Sequence, residues 1–123
     1  MSVTASSPWP EWIDVCGVDD ITPDTGVAVL IGNVQIAVVR VGEGDHEQFF
    51  AVGNYDPFSR AFVIARGIVG DRDGVPKIAS PIFKHNFDLR TGQCLDDPKV
   101  CVPTYEVRVE QGRILVRVPE TTF

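Results

Sequence analysis

Apolar residues in this chain come in short β-branched and aromatic runs, and nowhere do they recur at helical spacing over a long window. The runs are Val27–Ile31, Val34–Val41, Gln48–Val52, Phe62–Ala65, Lys77–Ala79, Phe87–Leu89, Tyr105–Val109 and Arg113–Val118, with Gly, Pro, Asn and Asp between them. Stretches of that length, bounded by turn formers, fold as strands. Gly32-Asn33, Asp73-Gly74 and Gln111-Gly112 mark tight hairpin turns, because these residue types accept positive φ. Within 105–109 and 113–118 the pattern alternates, with Tyr105, Val107 and Val109 on one side and Glu106, Arg108 and Glu110 on the other, which gives one buried and one wet face. The sequence therefore predicts an all-β, antiparallel sandwich or small barrel. Val27, Val29, Ile36, Val38, Phe50, Val107, Val109, Ile114 and Val116 are expected to face inward. A single helical turn is expected near Thr22-Pro23-Asp24.

Length and charge narrow the function. The 123 residues suit one domain, and 44% hydrophobic content is enough for a core without a metal or disulfide staple. Residues 1–8 are expected to form a flexible N-terminal tail and 9–123 a single domain. The net charge is −6 and the pI about 4.7, which argues against nucleic acid and against an anionic membrane surface as partner. Met1 to Ser7 show no secretory pattern, and no apolar run approaches the roughly 18 residues needed to span a bilayer, so a cytoplasmic protein is expected.

Catalytic patterns are missing. The sequence has no Gly-x-Ser-x-Gly, no phosphate-cradling glycine loop and no His-Glu-x-x-His. His46 sits in a polar hairpin tip, and Asp71-Arg72-Asp73-Gly74 starts like a calcium loop but lacks the closing Glu, so a tight turn explains it. Cys16, Cys94 and Cys101 have no metal-ligand spacing and are expected to be free, buried thiols. Trp9 and Trp12 are expected to cover one edge of the core. No catalytic residue and no metal ligand is expected.

Two loops carry more information than composition explains. Ser80-Pro81-Ile82-Phe83-Lys84-His85, followed by Phe87-Asp88-Leu89 and Thr91-Gly92, resembles the second cluster-binding loop of Rieske iron–sulfur domains, which reads Cys-Pro-x-His-Gly before a Phe-Asp-Leu strand. Asn54-Tyr55-Asp56-Pro57-Phe58-Ser59 resembles the first loop, Cys-Pro-His. The resemblance implies a Rieske-like fold in which Asp56, Phe58, Ser80 and Phe83 stand at the four ligand positions. A Rieske centre takes two thiolates on one iron and two imidazoles on the other. A phenyl ring has no lone pair to give, so no cluster is expected. Phe58 and Phe83 are expected to fill the vacated volume.

Asp56-Pro57-Phe58-Ser59, the stretch from Arg66 to Asp71, Ser80 to His85 and Thr91 to Pro98 together resemble one family. It is the small subunit of cytoplasmic NAD(P)H-dependent assimilatory nitrite reductase, and the likeness runs from Trp9 to Val118. It implies a chain with no cofactor of its own, partnered by a large subunit that holds flavin, sirohaem and iron–sulfur centres and reduces nitrite to ammonium. Arg60, Arg66, Lys84 and His85 flank the two loops and are expected to dock that partner. The alternatives are a Rieske-type ferredoxin electron carrier and a free-standing Rieske-like binding module.

Overall fold

The computed structural model describes residues 12–42 and 44–118, so the expected tail, and Trp9 with it, lie outside the described residues. The described residues form eleven strands: β1 (Trp12–Gly17), β2 (Thr25–Ile31), β3 (Val34–Val41), β4 (Gln48–Gly53), β5 (Tyr55–Asp56), β6 (Ala61–Phe62), β7 (Ile68–Arg72), β8 (Val75–Ala79), β9 (Asn86–Asp88), β10 (Thr104–Glu110) and β11 (Arg113–Arg117). The only helical pieces among the described residues are three 3₁₀ turns, Val18–Asp20, Gly44–His46 and Ile64–Arg66. Among the described residues no helix is long and apolar enough to cross a membrane.

Turn chemistry sets the hairpins. Asp73 and Gly74 (φ 53° and 86°) join β7 to β8, and Gln111 and Gly112 (φ 51° and 77°) join β10 to β11. Paired left-handed residues match the twist of the strands they connect. At the β2–β3 hairpin Gly32 alone takes positive φ, at 58°. The strands form a curled antiparallel half-barrel of order β1-β11-β10-β4-β3-β2, a three-stranded sheet β7-β8-β9 and the ribbon β5-β6.

Two clusters make the core. Ile21, Ile31, Ile36, Val38, Ile114 and Val116 fill the curl of the large sheet, and Ala37, Val39, Val52, Ile64, Ile78 and Phe87 lie between that sheet and the smaller one. Strand β3 serves both, since all four residues from Ile36 to Val39 are fully enclosed. Burial on both faces is why this stretch reads as an unbroken apolar run.

Several expectations change. Val109 is 42% exposed, although Ile114, its direct partner on β11, is fully enclosed. Phe50 packs on the second cluster, across the sheet from Val38. The run Phe62–Ala65 is not one strand: it leaves β6 at Phe62 and enters the 3₁₀ turn at Ile64. Asn54 causes the break, its carbonyl accepting from the Ile64 amide at 3.1 Å and its side-chain oxygen from the Ala65 amide at 2.8 Å. The helical turn lies at Val18–Asp20, ahead of Thr22, because Asp24 is left-handed (φ 62°) and its amide bonds the Arg40 carbonyl. Cys94 is buried and Cys16 half-buried as expected of thiols in a core, but Cys101 is exposed, and all three are free. Trp12 is half-buried at the sheet edge under the Arg108 guanidinium, 4.4 Å from its ring.

Candidate functional site

The two loops singled out in the sequence are built alike. Asp56-Pro57-Phe58-Ser59-Arg60 leaves β5, and Ser80-Pro81-Ile82-Phe83-Lys84 leaves β8. In each, the fifth residue's amide bonds the first residue's carbonyl, Arg60 to Asp56 at 2.7 Å and Lys84 to Ser80 at 3.0 Å. In each, that fifth residue is left-handed, with φ 59° at Arg60 and 67° at Lys84. Glycine occupies the Lys84 position in the Rieske pattern, and a side chain there costs on the order of 1 kcal/mol.

The loops meet at their first residues. Asp56 and Ser80 are both fully enclosed, and the Ser80 hydroxyl donates to Asp56 Oδ2 in a short bond. The same carboxylate accepts from Ser59 Oγ at 2.8 Å and from the Phe58 amide at 2.9 Å. Burial works against its ionisation, but the bonds from Ser80, Ser59 and the Phe58 and Ser59 amides prevail and hold Asp56 below the usual carboxylate range. Ser59 was not among the expected site residues, although Asp-x-x-Ser is a recognisable turn signature.

The aromatic residues divide. Phe58 stacks face to face on His85, with centroids 3.6 Å apart and planes within 5°, and meets Phe87 at 6.2 Å. Phe83 does not fill the space between the loops as expected: it is 58% exposed, beside Ile82 at 47%. Closure of the second loop by the Lys84 amide turns Phe83 outward and brings His85 in against Phe58.

Behind the second loop, Asp96 accepts from the Asn86 amide at 2.7 Å and from Arg72 at 3.2 Å. The Asn86 amide, opposed by burial and helped by the Asn86 side chain and Arg72, holds Asp96 below its usual value. Gly92 (φ 80°) closes the following turn, where a Cβ would fall 2.0 Å from the Val102 carbonyl oxygen. Of the expected docking residues, Arg60, Arg66 and Lys84 are exposed and make no ion pair among the described residues, whereas His85 is half-buried in its stack. His46 is exposed in the Gly44–His46 turn.

These residues do not fit a Rieske cluster. Asp56 spends its oxygens on donors from Ser80, Ser59 and Phe58, Ser80 offers a hydroxyl where a thiolate is needed, and neither Phe58 nor Phe83 has a donor atom. The tip holds one imidazole, His85, whose Nδ1 is enclosed without a partner, where two are required. Among the described residues no three His, Cys, Asp or Glu side chains converge to hold a metal ion.

Comparison with known proteins agrees with the fold and sharpens it. Residues 11–117 match the Rieske-like [2Fe-2S] domain family. The chain is 40% identical over 107 residues to the nitrite reductase (NADH) small subunit of Escherichia coli K12, covering 87% of this chain and 97% of that one. A Mycobacterium tuberculosis crystal structure, provisionally named an NADH-dependent nitrite reductase small subunit, superposes with a TM-score of 0.82 at 47% identity, over 89% of this chain and 96% of its own. The chain is also 35% identical over 105 residues to part of the Klebsiella oxytoca nitrite reductase [NAD(P)H] large subunit, covering 85% of this chain but 11% of that one.

Proposed function

This chain belongs to the nitrite reductase small-subunit family, a branch of the Rieske-like domains, and we propose that it is the non-catalytic small subunit of a cytoplasmic, assimilatory NAD(P)H-dependent nitrite reductase. The observation that carries the reading is the pair of loops: they keep the Rieske layout, yet a serine–aspartate hydrogen bond joins them where a cluster would need two thiolates. On this reading the chain binds no cofactor. Flavin, sirohaem and iron–sulfur centres sit on the large subunit, which takes nitrite to ammonium with six electrons from NAD(P)H.

The Klebsiella relative supports the partnership, because a domain like this one occupies 11% of a chain named as the large subunit. The docking tip is assigned to Arg60, Arg66, Lys84 and His85. Arg60 and Lys84 hold their charges at left-handed positions that favour glycine, and strain of that kind gathers at functional loops. On a chain of net charge −6, a basic tip orients a partner with an acidic face.

The test is co-expression with the large subunit, followed by assay of nitrite-dependent NAD(P)H oxidation. Activity should rise when this chain is present and should be undetectable for the chain alone. Equal activity with and without it, in a large subunit fully loaded with cofactor, would reject the proposal. So would stoichiometric iron and acid-labile sulfide in this chain purified without oxygen.

A further inference from the structure

Beside the first loop lies a cleft of 280 Å³ that the docking tip does not include. Pro57 of the loop lines it, with Cys101 and Pro103 from the segment leading into β10 and Tyr105 from β10 itself. Its outer lip is the aromatic pair Tyr55 and Phe62, whose rings pack 5.0 Å apart, yet Tyr55 stays 40% and Phe62 54% exposed. No charged side chain lines it, although 23% of the chain is charged. Of its polar residues, Asn54 is engaged elsewhere: it donates to Gln35 at 3.3 Å and accepts from the Ala65 amide. A concave, charge-free surface with exposed aromatics has the composition of the centre of a protein interface, where charged residues are depleted and aromatic ones enriched.

We propose that this cleft receives an aromatic or branched aliphatic side chain of the large subunit, as the apolar anchor of the complex. The inference rests on the reading that the large subunit is the partner, and two observations point the cleft toward it. Pro57 lines the cleft and lies in the same loop as Arg60, so the cleft adjoins the first loop of the charged tip. In the Klebsiella relative a domain like this is part of a chain named as the large subunit, so such a domain and the rest of that subunit are held together in one molecule. The charged tip sets how the partners approach, and the cleft sets how long they stay.

The experiment uses purified large subunit and this chain with Phe62→Ser and, separately, Phe62→Asp. Phe62 is more than half exposed, so both variants should keep the parent's melting temperature. The parent should bind, and each variant should bind at least tenfold more weakly, mainly through faster dissociation, with the loss persisting at high salt. Cys101 supplies a second readout that needs no substitution. It is exposed, Cys94 is buried, and burial pushes the half-buried Cys16 thiol up, so alkylation falls first on Cys101. Large subunit should slow that alkylation at least tenfold, as located by mass spectrometry. Parent-like affinity in both variants, or unprotected Cys101 in the complex, overturns the anchor while leaving the small-subunit reading intact. Protection of Cys101 by rising concentration of this chain alone overturns it in favour of self-association. Failure of the parent to bind the large subunit overturns the small-subunit reading and the anchor with it.

Discussion

Ser80 donates its hydroxyl proton to the Asp56 carboxylate across the junction of two loops that approach from different sheets. Both residues are fully enclosed, so water cannot replace either partner. Ser80→Ala leaves a buried carboxylate one donor short. The expected loss is about 1.5–3 kcal/mol, the range for a hydrogen bond to a charged group, read as a lower urea midpoint.

Asp56 also sets a pH dependence. Its carboxyl is more acidic in the folded chain than in the unfolded one. The stability it contributes is therefore fully present above the unfolded value, about 3.9, and is lost as pH falls through the lower folded value. Asp96 acts in the same direction. Urea midpoints followed downward from pH 6 should fall more steeply below pH 4 for the parent than for Asp56→Asn.

The two phenylalanines of the loops should behave as opposites. Phe58→Ala removes the ring stacked on His85 and its contact with Phe87, and should cost about 2–4 kcal/mol. Phe83→Ala removes a ring that faces outward, and should stay within about 0.5 kcal/mol. Guanidinium unfolding of the two variants side by side decides between this arrangement and one in which both rings fill the gap.

Sequence reading located these loops but could not orient them. The Asp-Pro and Ser-Pro starts are local signals. Which of Phe83 and His85 turns inward depends on a bond from Lys84 back to Ser80, and no residue pattern announces that bond. The strands divide in the same way. The apolar run from Val34 to Val41 coincides with β3, since burial on both faces leaves its mark in the sequence itself. Strand β1 was not anticipated, because what makes Trp12–Gly17 a strand is β11, about a hundred residues away. Strand β7 carries Gly70 and Asp71, residues of low β-preference, and forms by pairing with β8. Cys101 was expected inside on the general habit of free cysteines, and the isolated bridge to Gln93 instead leaves it at the surface.

One rung of the β10–β11 ladder separates burial from alternation. Val109 and Ile114 are direct cross-strand partners, yet Ile114 is fully enclosed and Val109 is 42% exposed. Ile114→Ala should cost about 2–5 kcal/mol through lost burial and a residual cavity, and Val109→Ala less than about 0.5 kcal/mol. Thermal melts distinguish a difference of that size.

At the docking tip, Arg66→Glu with Lys84→Glu should slow association with the large subunit, most strongly at low ionic strength, and leave the melting temperature unchanged. Stopped-flow association at two salt concentrations measures it. An on-rate equal to the parent's at low salt would remove the basic tip from the encounter.

Strand β3 stands as a party wall between two rooms. Ile36 and Val38 furnish one, Ala37 and Val39 the other, and neither room keeps its wall if the strand leaves. The halves of the molecule therefore cannot melt one after the other. Loss of packing around Phe87 and loss of packing around Ile114 become a single event, and spectroscopic probes placed in each should report one shared transition.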